Sequence, residues 1–225
     1  MQRTSAARTA AVSAVLFGIS FFLTVASVNV PHTSSDAKLL AWWQVGSNVQ
    51  SGLISLLFAV CTAVLFAVVV NYVLTLAGRT SQVQTTAFAR SMAGAFTATL
   101  LVSAALRGVI GFLVKVQDEP LPRVDVLRYA TALNYTLIGT VVMTVFALTV
   151  LAVSVIVLRT QMLGRWVGFV GLGCGVIVLV AASAMFGAFT IPIAILWSWC
   201  MAVAIWREST PAATAVPAAQ ETALA

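Results

Sequence analysis

Six apolar runs, each long enough to cross a bilayer, leave this chain little choice of fold. They cover residues 10–30, 52–77, 91–114, 131–158, 166–186 and 188–206. A membrane-spanning helix needs roughly 20 predominantly apolar residues. In hydrocarbon every backbone N–H and C=O must be paired inside the protein, so runs of this length become helices. The expectation is an all-α, polytopic six-helix bundle with a short N-terminus over 1–9, a membrane domain over 10–206 and a disordered tail over 207–225. The tail repeats Ala, Pro and Thr without an apolar period, a composition that cannot bury a core. Composition excludes a soluble domain: 8% of residues are charged and 61% hydrophobic, against about 25% charged in soluble domains.

The first run follows Arg3 and Arg8, as a signal peptide would. Its apolar stretch exceeds the roughly 7–15 residues of a signal core, and the small-residue site around Thr24-Val25-Ala26 is weak, so the helix is expected to be retained. The segment 31–50 then connects helices one and two. Ser34-Ser35-Asp36 suits the start of a short helix, because these side chains accept from free N–H groups and favour the positive helix end. Leu39, Leu40, Trp42 and Trp43 give that helix an apolar, aromatic surface suited to the headgroup level. The run 131–158 is longer than a span requires, which implies tilt or a projecting end. Pro192 falls in the first turns of helix six, where its missing N–H is tolerated.

Charge sets the expected orientation. Arg3, Arg8, Arg79, Arg90, Arg159, Arg165 and Arg207 fall on one side, and Lys38, Arg123 and Arg128 on the other, with Lys115 at its border. The excess of Lys and Arg marks the cytoplasmic side, so both termini are read as cytoplasmic in a bacterial inner membrane. The net charge of +6 is scattered through short loops rather than clustered, which argues against nucleic acid as a partner. No residue pattern relates helices one to three with four to six as an inverted repeat.

Arg107 is the sharpest single feature, since it interrupts the third apolar run. A charged side chain at membrane depth costs about 2.5–3.5 kcal/mol on insertion scales and needs water or a partner. The candidate polar site joins it to Asn134, Tyr135 and Asp125; Asn29, Asp118 and Glu119 are further acceptors on the same side. Three readings compete. Arg107 snorkels outward or helix three ends near Leu106; it forms a structural polar tie; or it contacts an anionic solute.

A second feature is the small-residue stripe Gly164, Gly168, Gly171 and Gly175 on helix five. Such a face lets another helix approach closely, within the chain or on a partner. Thr136, Thr140 and Thr144 make a similar stripe on helix four, and their hydroxyls can bond to their own helix. Trp197 and Trp199 read as packing residues. Cys61, Cys174 and Cys200 each lie in an apolar run as small hydrophobes, and His32 is a lone loop histidine. There is no H-E-x-x-H, no G-x-S-x-G, no P-loop, no pair of intramembrane acids and no metal-ligand spacing, so neither an enzyme nor a cofactor is expected.

The run Ser34-Ser35-Asp36-Ala37-Lys38-Leu39-Leu40-Ala41-Trp42-Trp43 resembles the first loop of a group of six-helix bacterial integral membrane proteins defined as a domain of unknown function. The Gly-rich helix five and the Trp-containing helix six closed by Arg207 are similar to the same group. The resemblance covers the bundle and not the tail, implies the six-helix membrane fold, and brings no activity and no site residue; Arg107 stands outside its pattern. Function is therefore read from the features above. The leading expectation is a non-enzymatic accessory or structural component that binds a membrane-protein partner, a second copy of itself or lipid, through the glycine face and the aromatic loop. The alternative is a small-solute permease with a polar pocket around Arg107.

Overall fold

The computed structural model describes residues 2–27, 29–31, 35–78 and 83–209, with the side chains of Gln2, Arg3 and Ser209 left aside. His32, Ser34, Arg79 and the tail from Thr210 lie outside the described residues. Six helical segments are long and apolar enough to cross a membrane, and no strand occurs among the described residues. The first span is α1 (Gln2–Ala26). After it come the short α2 (Asp36–Gln44), then α3 (Gly46–Ala77) and α4 (Val83–Lys115). The fourth span is composite: α5 (Val124–Thr136), a π segment (Leu137–Val142) and α6 (Met143–Thr160). The fifth is α7 (Arg165–Ser183), and a 3₁₀ turn (Gly187–Thr190) leads into the sixth, α8 (Ile191–Ser209).

The apolar runs locate these helices but underestimate their length. The second span begins at Gly46 rather than 52, the third at Val83 rather than 91, and the fourth at Val124 rather than 131. A helix does not stop where hydrocarbon stops, because each added residue gains a backbone bond once the helix is nucleated. The fifth is the exception, ending at Ser183 rather than 186, while the first starts earlier, at Gln2, and ends earlier, at Ala26 rather than near 30. On the third, α4 runs unbroken through Arg107 to Lys115, which overturns an end near Leu106.

Consecutive spans pack on one another and the sixth returns to the first, so the bundle closes as a ring. Arg8 lies over the Trp206 ring at 5.9 Å, which puts the start of α1 and the end of α8 on one face, here called the terminal face. The centre of the ring is filled by Phe17 and Phe21 of α1, Phe66 of α3, Phe96 of α4, Phe146 of α6 and Trp197 of α8, none more than 1% exposed. Phe66 and Phe96 lie 4.5 Å apart, and Trp197 meets Phe146 edge-on at 5.6 Å. Such tilted arrangements set ring edges against ring faces, which is favourable beyond area burial. α7 brings glycine instead of an aromatic ring: a Cβ on Gly171 would stand 3.2 Å from Trp197 Nε1.

Glycines set two close helix crossings. Added Cβ atoms on Gly168 and Gly175 would meet Leu158 Cγ at 2.5 Å and Leu151 Cδ2 at 2.7 Å, and one on Gly171 would collide with the Ser154 hydroxyl. The glycine face of α7 is thus covered by α6 of the same chain. Gly164 is not part of that contact; it has φ +71 at the N-cap of α7, a backbone conformation in which a side chain is strained. The second crossing joins α3 to α4. There a Cβ on Gly52 would stand 2.7 Å from Arg107 O, and one on Gly111 2.8 Å from Val49 O.

On the face opposite the termini, Ser35 caps α2 by accepting from Lys38 N, with Asp36 in the first turn. This short helix is not merely an interfacial surface. Leu39 and Trp43 are buried with Val30, Val49, Ile110 and Leu127 in a second apolar cluster, with Trp42 half-buried beside it. An ion pair between Asp36 and Arg128 fastens α2 to α5.

Candidate functional site

Arg107 lies on the buried stripe of α4, which runs through Phe96, Leu100, Ser103, Ala104, Arg107, Gly108 and Gly111 at helical spacing. Its direction is therefore set by the helix, and it points inward. The residue is 4% exposed, so it does not snorkel. Nη1 donates to Thr24 O at 2.8 Å, and Ser55 Oγ donates to the same carbonyl at 2.7 Å. Thr24 belongs to the last turn of α1. Carbonyls there lack partners along the helix and carry the negative end of its dipole. The third span thus brings its cation to the open C-terminal end of the first, a favourable contact that uses one edge of the guanidinium.

The remaining polar groups form a layer around this contact. Ser20 Oγ donates to Phe58 O at 2.9 Å, and Thr24 Oγ1 lies 3.1 Å from Thr62 Oγ1, which ties α1 to α3. One turn from Arg107, Ser103 Oγ donates to Asn134 Oδ1 at 2.9 Å. Tyr135 OH donates to Val30 O at 2.8 Å. Asn134 is 7% exposed and Tyr135 half-buried. Asp125 is not brought in: its side chain is 64% exposed and lies 3.5 Å from Arg123 Nε. Asn29, Asp118 and Glu119 are exposed as well.

Among the described residues the ion pairs are Arg123–Asp125 and Arg128–Asp36, and no described carboxylate pairs with Arg107. Its Nε and Nη2 are buried without a hydrogen-bond partner. The α2 cluster closes the layer from the face opposite the termini, since Ile110, the next turn of α4, packs with Leu39 and Trp43. The arrangement is a closed polar layer holding a cation that is only part-compensated. The hydroxyls in that layer, Ser55, Ser103 and Tyr135, are each engaged in a hydrogen bond.

Sequence reasoning missed Thr24, Ser55 and the Gly52–Gly111 crossing. Ser20 and Thr24 at a spacing of four, facing Ser55 and Thr62 in the next span, were the available signal. The Thr136–Thr140–Thr144 stripe does not become a lining. The π segment 137–142 rephases the helix between those positions, leaving Thr136 exposed and bonded to Ala132 O at 3.0 Å. Trp197 is buried and Trp199 is 48% exposed. Among the described residues no group of His, Cys, Asp and Glu could hold a metal ion.

A groove of about 1110 Å³ lies elsewhere, on the terminal face between α1 and α3, lined by Ala7, Ala10, Val64, Asn71, Tyr72 and Glu208 among others. Its size does not make it the better site. It opens beside exposed side chains such as Val64, 58% exposed, and the charge that lines it, Glu208, is itself exposed rather than buried. No family model, curated protein or solved structure matches this chain.

Proposed function

We propose that this chain is a non-enzymatic inner-membrane carrier of a small solute, which it holds at Arg107 in the half of the bundle away from the termini. The observation that carries the reading is the buried guanidinium with Nε and Nη2 unpartnered. A buried donor left unsatisfied costs about 1–3 kcal/mol, and more when it is charged. A bundle that keeps such a group with no carboxylate beside it among the described residues is suited to receive negative charge from outside the chain. The excess of Arg on the terminal face supports cytoplasmic termini, which makes the Arg107 layer the outward half. The accessory reading drew on the α7 glycine face and the aromatic loop. Gly168, Gly171 and Gly175 pack on α6 and Trp43 is buried, which leaves the half-buried Leu40 and Trp42 as the accessible part of those two surfaces.

The test is extraction at native level into lipid nanodiscs, with mass spectrometry of everything retained by the wild type and by Arg107→Ala. The carrier reading expects a small molecule that the variant loses while its yield is kept. A stoichiometric protein retained equally by both, with no small molecule, would return the chain to the accessory class.

A further inference from the structure

The geometry points to a small monocarboxylate as the ligand of Arg107, an inference that rests on the carrier reading. A guanidinium presents its donors along distinct edges. Nε–H and the outer N–H of Nη2 point the same way, and this edge takes both oxygens of one carboxylate in parallel. In this bundle Nη1 is turned to Thr24 O. The two nitrogens left without partners are Nε and Nη2, the pair that makes the fork. The unsatisfied part of the side chain is therefore a preformed bidentate acceptor site, not a random remainder.

Charge narrows the class. Arg107 is the one buried Lys or Arg among the described residues. Part of its charge already faces the C-terminal end of α1, where the helix carries about half a negative charge. A single carboxylate leaves the layer within about half a charge of neutrality. A phosphate dianion would leave surplus negative charge beside the Thr24 carbonyl, at a depth where uncompensated charge is costly. Among the described residues no carboxylate is a rival, since Asp36, Asp118, Glu119, Asp125 and Glu208 are all exposed. The carboxylate comes either from a water-soluble acid or from a fatty acid of the bilayer, and chain length separates the two. Closure by α2 makes the bound ligand occluded, so exchange requires that helix to move.

The experiment is a thermal unfolding series on the full chain in nanodiscs at fixed ionic strength, with acetate, butanoate, decanoate, inorganic phosphate and chloride as probes. Wild-type protein is expected to show a saturable rise in midpoint with a carboxylate. Acetate and butanoate acting alone would assign a water-soluble acid, and decanoate acting alone a fatty acid. Arg107→Lys keeps the charge but not the fork, and is expected to bind roughly tenfold more weakly or worse. Phosphate or chloride matching the carboxylates, or Arg107→Lys matching the wild type, would overturn the carboxylate assignment and leave an Arg107 carrier standing. Should no probe shift the wild type, the carboxylate inference fails whatever the variant does. The carrier reading fails with it only if native extraction also yields no small molecule.

Discussion

Replacing Gly52 by alanine tests the α3–α4 crossing on which the position of Arg107 depends. The added Cβ would stand 2.7 Å from Arg107 O and 3.4 Å from Arg107 C. Both atoms are backbone in the middle of a long helix, so no flexible side chain can give way and the two helices must part by several tenths of an ångström. Overpacking of this kind costs about 1–3 kcal/mol. Alanine also returns up to about 1 kcal/mol of helix propensity, leaving a net loss between about zero and 2 kcal/mol. The propensity gain can be measured separately, because Gly94 on α4 and Gly173 on α7 have nothing within 4 Å of an added Cβ. Gly94→Ala and Gly173→Ala are therefore expected to be neutral or slightly stabilising. The assay is equilibrium unfolding of the three variants in identical lipid, with Gly52→Ala lying about 1–3 kcal/mol below the two controls. If Gly52→Ala unfolds with the controls, the crossing is looser than described, and the placement of Arg107 against α1 loses its support.

Three further outcomes follow from packing. Gly171→Ala drives a methyl into the Ser154 hydroxyl; Ser154→Ala is expected to rescue it, with a coupling of about 0.5–3 kcal/mol in a double-mutant cycle of unfolding energies. Additive effects would mean that the α6–α7 contact is not made there. Phe66→Ala opens the aromatic centre next to Phe17, Phe96 and Phe146 and should cost about 3–5 kcal/mol in the same assay; a loss under 1 kcal/mol would deny that these rings carry the core. Asp36→Asn removes the exposed pair with Arg128, so global stability should fall by no more than about 1 kcal/mol. Its effect is expected instead in amide exchange, where α2 opens faster while α3 and α4 are unchanged; equal exchange in α2 would show that Trp43 and Leu39 hold the helix alone.

The fold was largely legible because the bilayer allows so few solutions. Apolar run length alone locates all six spans, and Ser35-Asp36 marks the start of α2. What the sequence hid depends on helix rotation, which apolarity cannot encode when lipid and core are equally apolar. Phe17 and Phe66 look no different in sequence from Phe169, yet the first two fill the centre and the third is 58% exposed. The glycine stripe of α7 was visible, but its partner α6 was not. The more consequential glycines, Gly52 and Gly111, form no regular stripe of their own. Arg107 was conspicuous, but Asn134 and Tyr135 bond to Ser103 and Val30 rather than to Arg107 itself. The acceptor it uses was unreadable, since a backbone carbonyl at a helix end has no sequence signature and the end of α1 fell short of its apolar run. Asp125 was a reasonable candidate by charge, but the helix that carries it turns it to solvent beside Arg123.

The central claim is that Arg107 is buried with one guanidinium edge free for an anion. It is tested most directly by nitrogen-15 NMR of arginine side chains in nanodiscs, with the Arg107 Nε–H signal assigned by its loss in Arg107→Lys. The account predicts a signal that exchanges with water far more slowly than those of the surface arginines. That signal should move downfield as a carboxylate is added, as an N–H does when it gains a charged acceptor. A signal that exchanges as fast as the others, or stays still while the same carboxylate raises the melting midpoint, would contradict it.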